Sequence, residues 1–283
     1  MVEKGALYVC PTPIGNLADI TLRVLDILKQ VDFIAAEDSR HSRKLLAHYD
    51  IKTPLISYHE HNERQRTAEI IERLKKGQSG ALISDAGMPG ISDPGSVLIR
   101  HCIENGIKID VLPGPNAALT ALVLSGMPAD AFLFLGFLPV KKKERHRTLT
   151  EIAKLPYTKI LYEAPHRLIQ TLQDILEIVG DTEAAVAREL TKIHQTVHRG
   201  LISELLAEFE QNPVKGECCL LLAPAKLPEQ VSKGQAEDWL QELEKLEAEG
   251  VTGKEALKLV AQKYGVGKNA VYQAKLAKSK DKT

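Results

Sequence analysis

ALISDAGMPGISDPG, residues 81–95, decides the fold. Ala81–Ser84 reads as a short apolar strand. It breaks at Asp85 into a loop holding Gly87, Pro89, Gly90, Pro94 and Gly95, and helical spacing then starts over Ser96–Glu104. The same strand–loop–helix phrase recurs on either side. Leu7–Cys10, Phe33–Ala36, Pro54–Ser57 and Ile109–Leu112 read as further strands, with helical patterns over Leu22–Gln30, Arg43–Tyr49 and Glu63–Lys75 between them. Strands alternating with helices predict βαβ units and a mostly parallel sheet covered on both faces, with ligands bound beyond the carboxyl ends of the strands.

A second α/β unit is expected to follow, with strands at Phe132–Phe137, Lys159–Tyr162, Ala184–Arg188, Thr196–Arg199 and Glu217–Leu222 and helices near Arg167–Val179 and Ile202–Glu210. Pro224–Gln230 reads as a linker, and helical patterns at Gln235–Ala248, Lys254–Tyr264 and Lys268–Lys278 form a small Lys-rich tail. The expected organisation is an N-terminal α/β lobe over 1–117, a second α/β lobe over 118–225, a cofactor cleft between them, and a helical piece over 231–283. Val251–Lys275 has a helix-turn-helix cadence with Gly265-Val266-Gly267 as its turn.

Composition narrows the classes of function. Of 283 residues 44% are hydrophobic and 26% charged, the ordinary range for a packed soluble protein. Basic and acidic residues balance at 37 each, so bulk charge argues for no particular partner, although clustered cations still can. Cys10, Cys102, Cys218 and Cys219 make no CxxC pair, which fits a reducing cytoplasm better than a zinc site or a disulfide framework. The N-terminal apolar stretch is too short for a signal peptide, and the most apolar region, Ala117–Val140, is interrupted by Pro128 and Asp130. No membrane partner is expected.

Seven of the 14 prolines fall in PTPIGN (11–16), SDAGMPGISDPG (84–95), PGPN (113–116) and EAPHR (163–167). Each segment follows a strand and precedes a helix, so each can present rigid backbone N–H and C=O groups to a ligand. Asp93-Pro94 reads as an N-cap followed by proline at the first helical position, and Pro115 can open its helix in the same way. Any one such loop is more often a plain tight turn. Four together point to a binding site. None contains GxGxxG or GxxxxGK[ST], which leaves the dinucleotide and P-loop readings without support.

The phrases PTPIGNLADITLRVL, AAEDSRHSRKLL, SYHEHNE, LISDAGMPGISDPG, PGPNAAL, FLFLGFLP, YEAPHR, ARELTKIH and KGE run in that order from residue 11 to 217. Together they resemble the tetrapyrrole-methylase-like S-adenosylmethionine-dependent methyltransferases, and within them the branch that methylates the ribose 2′-oxygen of a cytidine in the decoding region of 16S rRNA. The resemblance implies two α/β lobes, a homodimer and S-adenosylmethionine folded between the lobes. It places the cofactor against Ile14, Ser84, Asp85, Gly87, Met88, Pro113, Gly114, Asn116 and Ala117, with Glu163, Ala164 and Leu190 from the second lobe. A tetrapyrrole (precorrin-type) methyltransferase is the alternative enzyme, and a nucleic-acid-binding regulator built on the tail helices is the alternative outside enzymes.

Methyl transfer from an activated sulfonium asks mainly for alignment, and a weakly acidic ribose hydroxyl benefits from a base. Asp38, His59 and Glu60 are candidates for that base and Arg40 for gripping a phosphate, each weighed against an ordinary capping or surface role. Asp85 reads as a cofactor-loop residue that accepts N–H bonds from its own loop. His59-Glu60-His61 lacks metal-ligand spacing, so no metal is expected. Within Lys141–Arg147, Arg145 and Arg147 are expected on the phosphates of 16S rRNA in the small ribosomal subunit.

Overall fold

The computed structural model describes residues 2–225, 233–264, 271–272 and 275. The chain divides into two compact units, Met1–Pro224 and Ala225–Thr283.

The first unit contains two five-stranded sheets. The first comprises β1 (Leu7–Val9), β2 (Phe33–Ala36), β3 (Leu55–Ser57), β4 (Gly80–Ile83) and β5 (Ile109–Val111), in the order β3-β2-β4-β1-β5 with every pairing parallel. The three central strands are buried along their whole length, which is why they read as unbroken apolar runs without polar alternation. On one face Tyr8, Ile34, Ala36 and Ile83 meet Val24, Leu28, Leu45 and Leu46 of α1 (Leu22–Gln30) and α2 (Ser39–His48). On the other, Leu7, Phe33 and Leu82 meet Ile70, Leu74, Leu98 and Cys102 of α3 (Glu63–Lys75) and α4 (Ser96–Glu104).

The second sheet comprises β6 (Phe132–Phe137), β7 (Thr158–Glu163), β8 (Glu183–Arg188), β9 (Thr196–Leu201) and β10 (Cys218–Leu222) in the order β6-β7-β10-β8-β9. Only β6 and β7 pair in parallel; the remaining pairs are antiparallel, with β10 inserted between β7 and β8. Between β5 and β6, α5 (Ala117–Ser125) lays Ala118, Ala121 and Leu122 on Ile160, Ala185 and Leu221. The opposite face packs on α6 (Lys142–Ala153), α7 (Leu168–Ile178) and α8 (Ile202–Gln211). Cys218 and Cys219 point to opposite faces of β10, one into each core, so they cannot bond to each other. Burial pushes their thiols up to about 11 and about 12, which leaves them unreactive.

Three readings of helix starts and basic residues are corrected. Helix α4 starts at Ser96 as expected, but Asp93 does not cap it and Pro94 does not open it: the N-cap is Gly95 at φ 139, a conformation closed to Asp or Pro. A Cβ at Gly95 would also lie 2.9 Å from Leu82 Cδ2. Pro115 does not open α5, since Asn116 is the N-cap and its side chain accepts the Leu119 N–H at 3.0 Å. Arg145 is buried: its Nε donates to Asp174 Oδ2 at 2.6 Å and its Nη1 to the Val140 carbonyl at 2.8 Å. That guanidinium cannot meet a phosphate.

In the second unit α9 (Lys233–Ala248) and α10 (Gly253–Lys263) pack through Trp239, Leu243, Leu257 and Val260, with Val271 added to the cluster. The turn read at Gly265-Val266-Gly267 and most of the helix read at Lys268–Lys278 lie outside the described residues.

Candidate active site

At the carboxyl ends of β1, β4, β5 and β7 the four Pro/Gly-rich loops converge on one cavity of about 350 Å³, the size of a small-molecule site. The β1 loop is tied to the β4 loop by paired Thr12–Gly87 backbone bonds of 2.9 and 3.0 Å and by the Thr12 hydroxyl donating to the Ser84 carbonyl at 2.9 Å. It is locked from the other side at Gly15, where a Cβ would lie 2.5 Å from Lys192 Cγ and 2.7 Å from the Leu190 carbonyl. Only hydrogen fits there, and the close approach sets Ile14 and Leu190 into the same wall.

Nine of the residues assigned to the cofactor line this cavity: Ile14, Asp85, Gly87, Met88, Asn116, Ala117, Glu163, Ala164 and Leu190. Ser84, Pro113 and Gly114 do not line it and instead shape its loops. The Ser84 hydroxyl donates to the Gly87 carbonyl at 3.3 Å, and a Cβ at Gly114 would stand 2.9 Å from Pro11. The Glu163 carboxylate is buried and fully used, accepting the Ala164 N–H at 2.8 Å and the Thr171 hydroxyl at 2.6 Å, with Arg167 Nε at 3.4 Å. It fixes the EAPHR loop.

Asp38, Arg40, His59 and Glu60 do not line the cavity. Asp38 caps α2, accepting the Arg40 N–H at 2.8 Å. Arg40 is 87% exposed at its side chain and Glu60 is exposed. His59 sits in a turn closed by Asn62, whose Oδ1 accepts the His59 N–H at 2.9 Å. Asp85 accepts not from its own loop but from the Asp38 N–H at 3.1 Å, so its carboxylate joins the β4 loop to the start of α2.

What the sequence reading missed is the acidity of the wall. Glu37, Asp93 and Glu217 join Asp85 on it, and none of the lining residues is Lys, Arg or His. Burial raises Glu37 above the usual carboxylate range, with Asp85 beside it adding to the effect. Asp93 is half-buried and has no hydrogen-bond or ion-pair partner among the described residues. Burial, then Glu37, Asp85 and Glu217, push its pKa to about 7. The signal was present as Glu37, Asp85 and Asp93, but their convergence depends on β2 lying next to β4, a neighbourhood that only the strand order reveals.

Residues 6–206 match the family described as Tetrapyrrole (Corrin/Porphyrin) Methylases. The chain belongs to this family. Among curated relatives, "Ribosomal RNA small subunit methyltransferase I" of Bacillus subtilis is 46% identical over 275 residues, covering 96% of this chain and 94% of that protein. The proteins of the same name from Synechocystis and Escherichia coli O157:H7 are 45% and 46% identical, covering 96% of this chain and 98% and 94% of theirs. Among solved structures, cobalt precorrin-4 methyltransferase superposes with a TM-score of 0.58 at 18% identity, over 77% of this chain and 95% of that one. The uroporphyrin-III-C-methyltransferase of Thermus thermophilus gives 0.56 at 20%, over 78% and 94%. These two show the shared tetrapyrrole methylase fold, and the protein is a methyltransferase of that family.

Proposed function

We propose that this protein is an S-adenosylmethionine-dependent methyltransferase acting on the ribose 2′-oxygen of a cytidine in 16S rRNA of the small ribosomal subunit. The observation that carries the reading is the 46% identity, spanning almost the whole of both chains, to enzymes named for small-subunit rRNA methylation. The cavity fits the cofactor. It is floored by backbone and small apolar groups that suit an adenosine, and its carboxylates suit a sulfonium and an ammonium. Those carboxylates disfavour a polyacidic tetrapyrrole. No helix among the described residues is long and apolar enough to cross a membrane. The ribosomal RNA substrate places the enzyme in the cytoplasm, and the family resemblance implies a homodimer.

When bound, S-adenosylmethionine supplies an already activated methyl group. Ile14, Met88, Asn116, Ala117 and Leu190 of the cavity wall are the residues that would hold it. Asp85 keeps the β4 loop in register with α2. Asp93, projecting into the cavity without a partner, accepts the proton that the ribose hydroxyl gives up as its oxygen takes the methyl. Mapping ribose methylation in small-subunit rRNA from a strain lacking this gene, before and after adding the purified protein with cofactor, tests the reading. A methylation pattern identical to wild type in the deleted strain overturns it.

Two further outcomes are expected of the cavity. Asp85→Ala removes the acceptor for the Asp38 N–H and should weaken cofactor binding by ~1–2 kcal/mol, whereas Asp85→Asn retains an acceptor and should lose less. Calorimetry on both variants decides this, and equal losses would assign the effect to charge instead of loop geometry. Cofactor affinity should also rise with pH across about 7, because ionised Asp93 attracts the cationic sulfonium. S-adenosylhomocysteine, neutral at sulfur, should respond less. Parallel pH dependences for the two ligands would remove Asp93 from the neighbourhood of the sulfur.

A further inference from the structure

A cavity walled by Glu37, Asp85, Asp93 and Glu217 repels the phosphates on either side of any ribose brought into it, so the cations that hold an RNA must lie on its rim. Helix α2 occupies that position. Glu37 on the cavity wall is the residue before the Asp38 N-cap, and the Asp38 N–H to Asp85 bond of 3.1 Å fixes the helix start to the rim. Ser42, Leu45 and Leu46 face the core, which leaves Arg40, His41, Arg43 and Lys44 on the exposed side. Arg40 and Lys44 stand four residues apart on one face, about 6 Å along the axis.

Two features separate this helix from an ordinary solvated surface. It carries no acidic residue from Ser39 to His48; Arg40 lies 3.5 Å from its own N-cap Asp38, while Arg43 and Lys44 make no ion pair among the described residues. Its cations also crowd the N-terminal end of the helix, where the macrodipole disfavours them, so helix stability does not account for them. The other basic helix at the same end of the molecule, α6, is different. Its Arg145 is buried on Asp174, its Arg147 pairs with Glu151 and the preceding Lys141 with Glu144, which leaves only Lys142 and Lys143 without an ion pair among the described residues, beside acidic Glu144 in the first turn.

We propose that the exposed face of α2, through Arg40, Arg43 and Lys44, is the track for the sugar-phosphate backbone of the single-stranded RNA flanking the target ribose. The inference rests on the rRNA reading above and adds the surface that delivers the substrate. Arg and Lys there neutralise successive phosphates, while the acidic cavity admits only the uncharged ribose edge.

The test measures binding of the full-length protein to an oligoribonucleotide of decoding-region sequence at several salt concentrations. Arg43→Gln/Lys44→Gln should bind about tenfold more weakly and flatten the logarithmic salt slope by about 1.4, at ~0.7 per lost phosphate contact on a single strand. Its calorimetric affinity for S-adenosylmethionine should stay at the wild-type value, which also reports an intact fold. The charge-preserving swap Arg43→Lys/Lys44→Arg should restore the slope. Unchanged RNA affinity and slope in the Gln pair overturn the proposal, as does a flattened slope appearing instead in Lys142→Gln/Lys143→Gln/Arg147→Gln. Failure of the rRNA reading itself looks different: the wild type would then neither methylate nor retain the RNA, whereas failure of the α2 track alone leaves a wild type that does both.

Discussion

Asp93→Asn should lower the rate of methyl transfer by about 10²–10⁴-fold, the usual contribution of a positioned general base, while cofactor still binds. The substitution keeps the volume and one acceptor of the side chain but cannot take up a proton. Asp93 is singled out among the cavity carboxylates because the others are committed or displaced. Glu163 is saturated by Ala164, Thr171 and Arg167. Asp85 holds the Asp38 N–H, Glu37 receives the Asp85 N–H at 3.5 Å, and Glu217 lies 3.6 Å from Lys192 Nζ.

The pH profile adds a second check. Because the folded-state pKa of Asp93 is raised from 3.8 to about 7, the group is a competent base only above that value, and the rate should climb as pH rises through it. The same shift has the opposite sign for stability. The protonated carboxyl is the form the fold prefers, so its contribution is complete below the unfolded pKa near 3.8 and is lost as pH rises through about 7. Activity and the thermal midpoint of the free protein should therefore move in opposite directions across that interval, and the Asn variant should lose both trends. An Asp93→Asn protein with wild-type single-turnover rates would return the base assignment to an open field.

The central strands of the first sheet were legible because buried parallel strands are apolar end to end, and Phe33–Ala36 and the helices Glu63–Lys75 and Ser96–Glu104 match their elements residue for residue. The start of α2 was not, since Ser39–Ser42 carries no apolar periodicity and only the Asp38 cap marks it. Loop chemistry was legible in kind and not in detail. Proline and glycine mark where the loops are, but whether Asp93 caps a helix or faces a cavity turns on the φ of 139 at Gly95, two residues later. The mixed pairing of the second sheet was hidden for another reason. Where β10 inserts depends on contacts between distant segments, as in Cys218 against Glu163, 55 residues apart, and no local pattern encodes them.

Replacing Asp174 by Ala should destabilise the protein by about 3–5 kcal/mol, the cost of leaving a buried charge without its partner. Arg145, from α6, donates to Asp174 of α7 at 2.6 Å through Nε and lies 2.5 Å away through Nη2, with side chains 7% and 1% exposed. His146 Nε2 approaches the second carboxylate oxygen at 3.1 Å. Burial alone would raise the Asp174 pKa, but His146 and the Arg145 guanidinium beside it bring it below the ordinary value. Its contribution is thus present above the unfolded pKa and lost as pH falls through the folded one, so this part of the fold weakens in acid. His146, Asp174 and Glu177 also bring three potential metal donors within 4.8 Å of one another, yet the guanidinium already neutralises the central carboxylate, which is the place a cation would need. Arg145→Met offers the sharper comparison. Removing the cation strands Asp174 in the same apolar setting, and the double variant Arg145→Met/Asp174→Leu removes both charges and should recover most of the lost stability. Chemical denaturation of the wild type, Arg145→Met, Asp174→Leu and the double variant gives the coupling energy directly. A coupling near zero would show that the pair contributes nothing to joining α6 to α7.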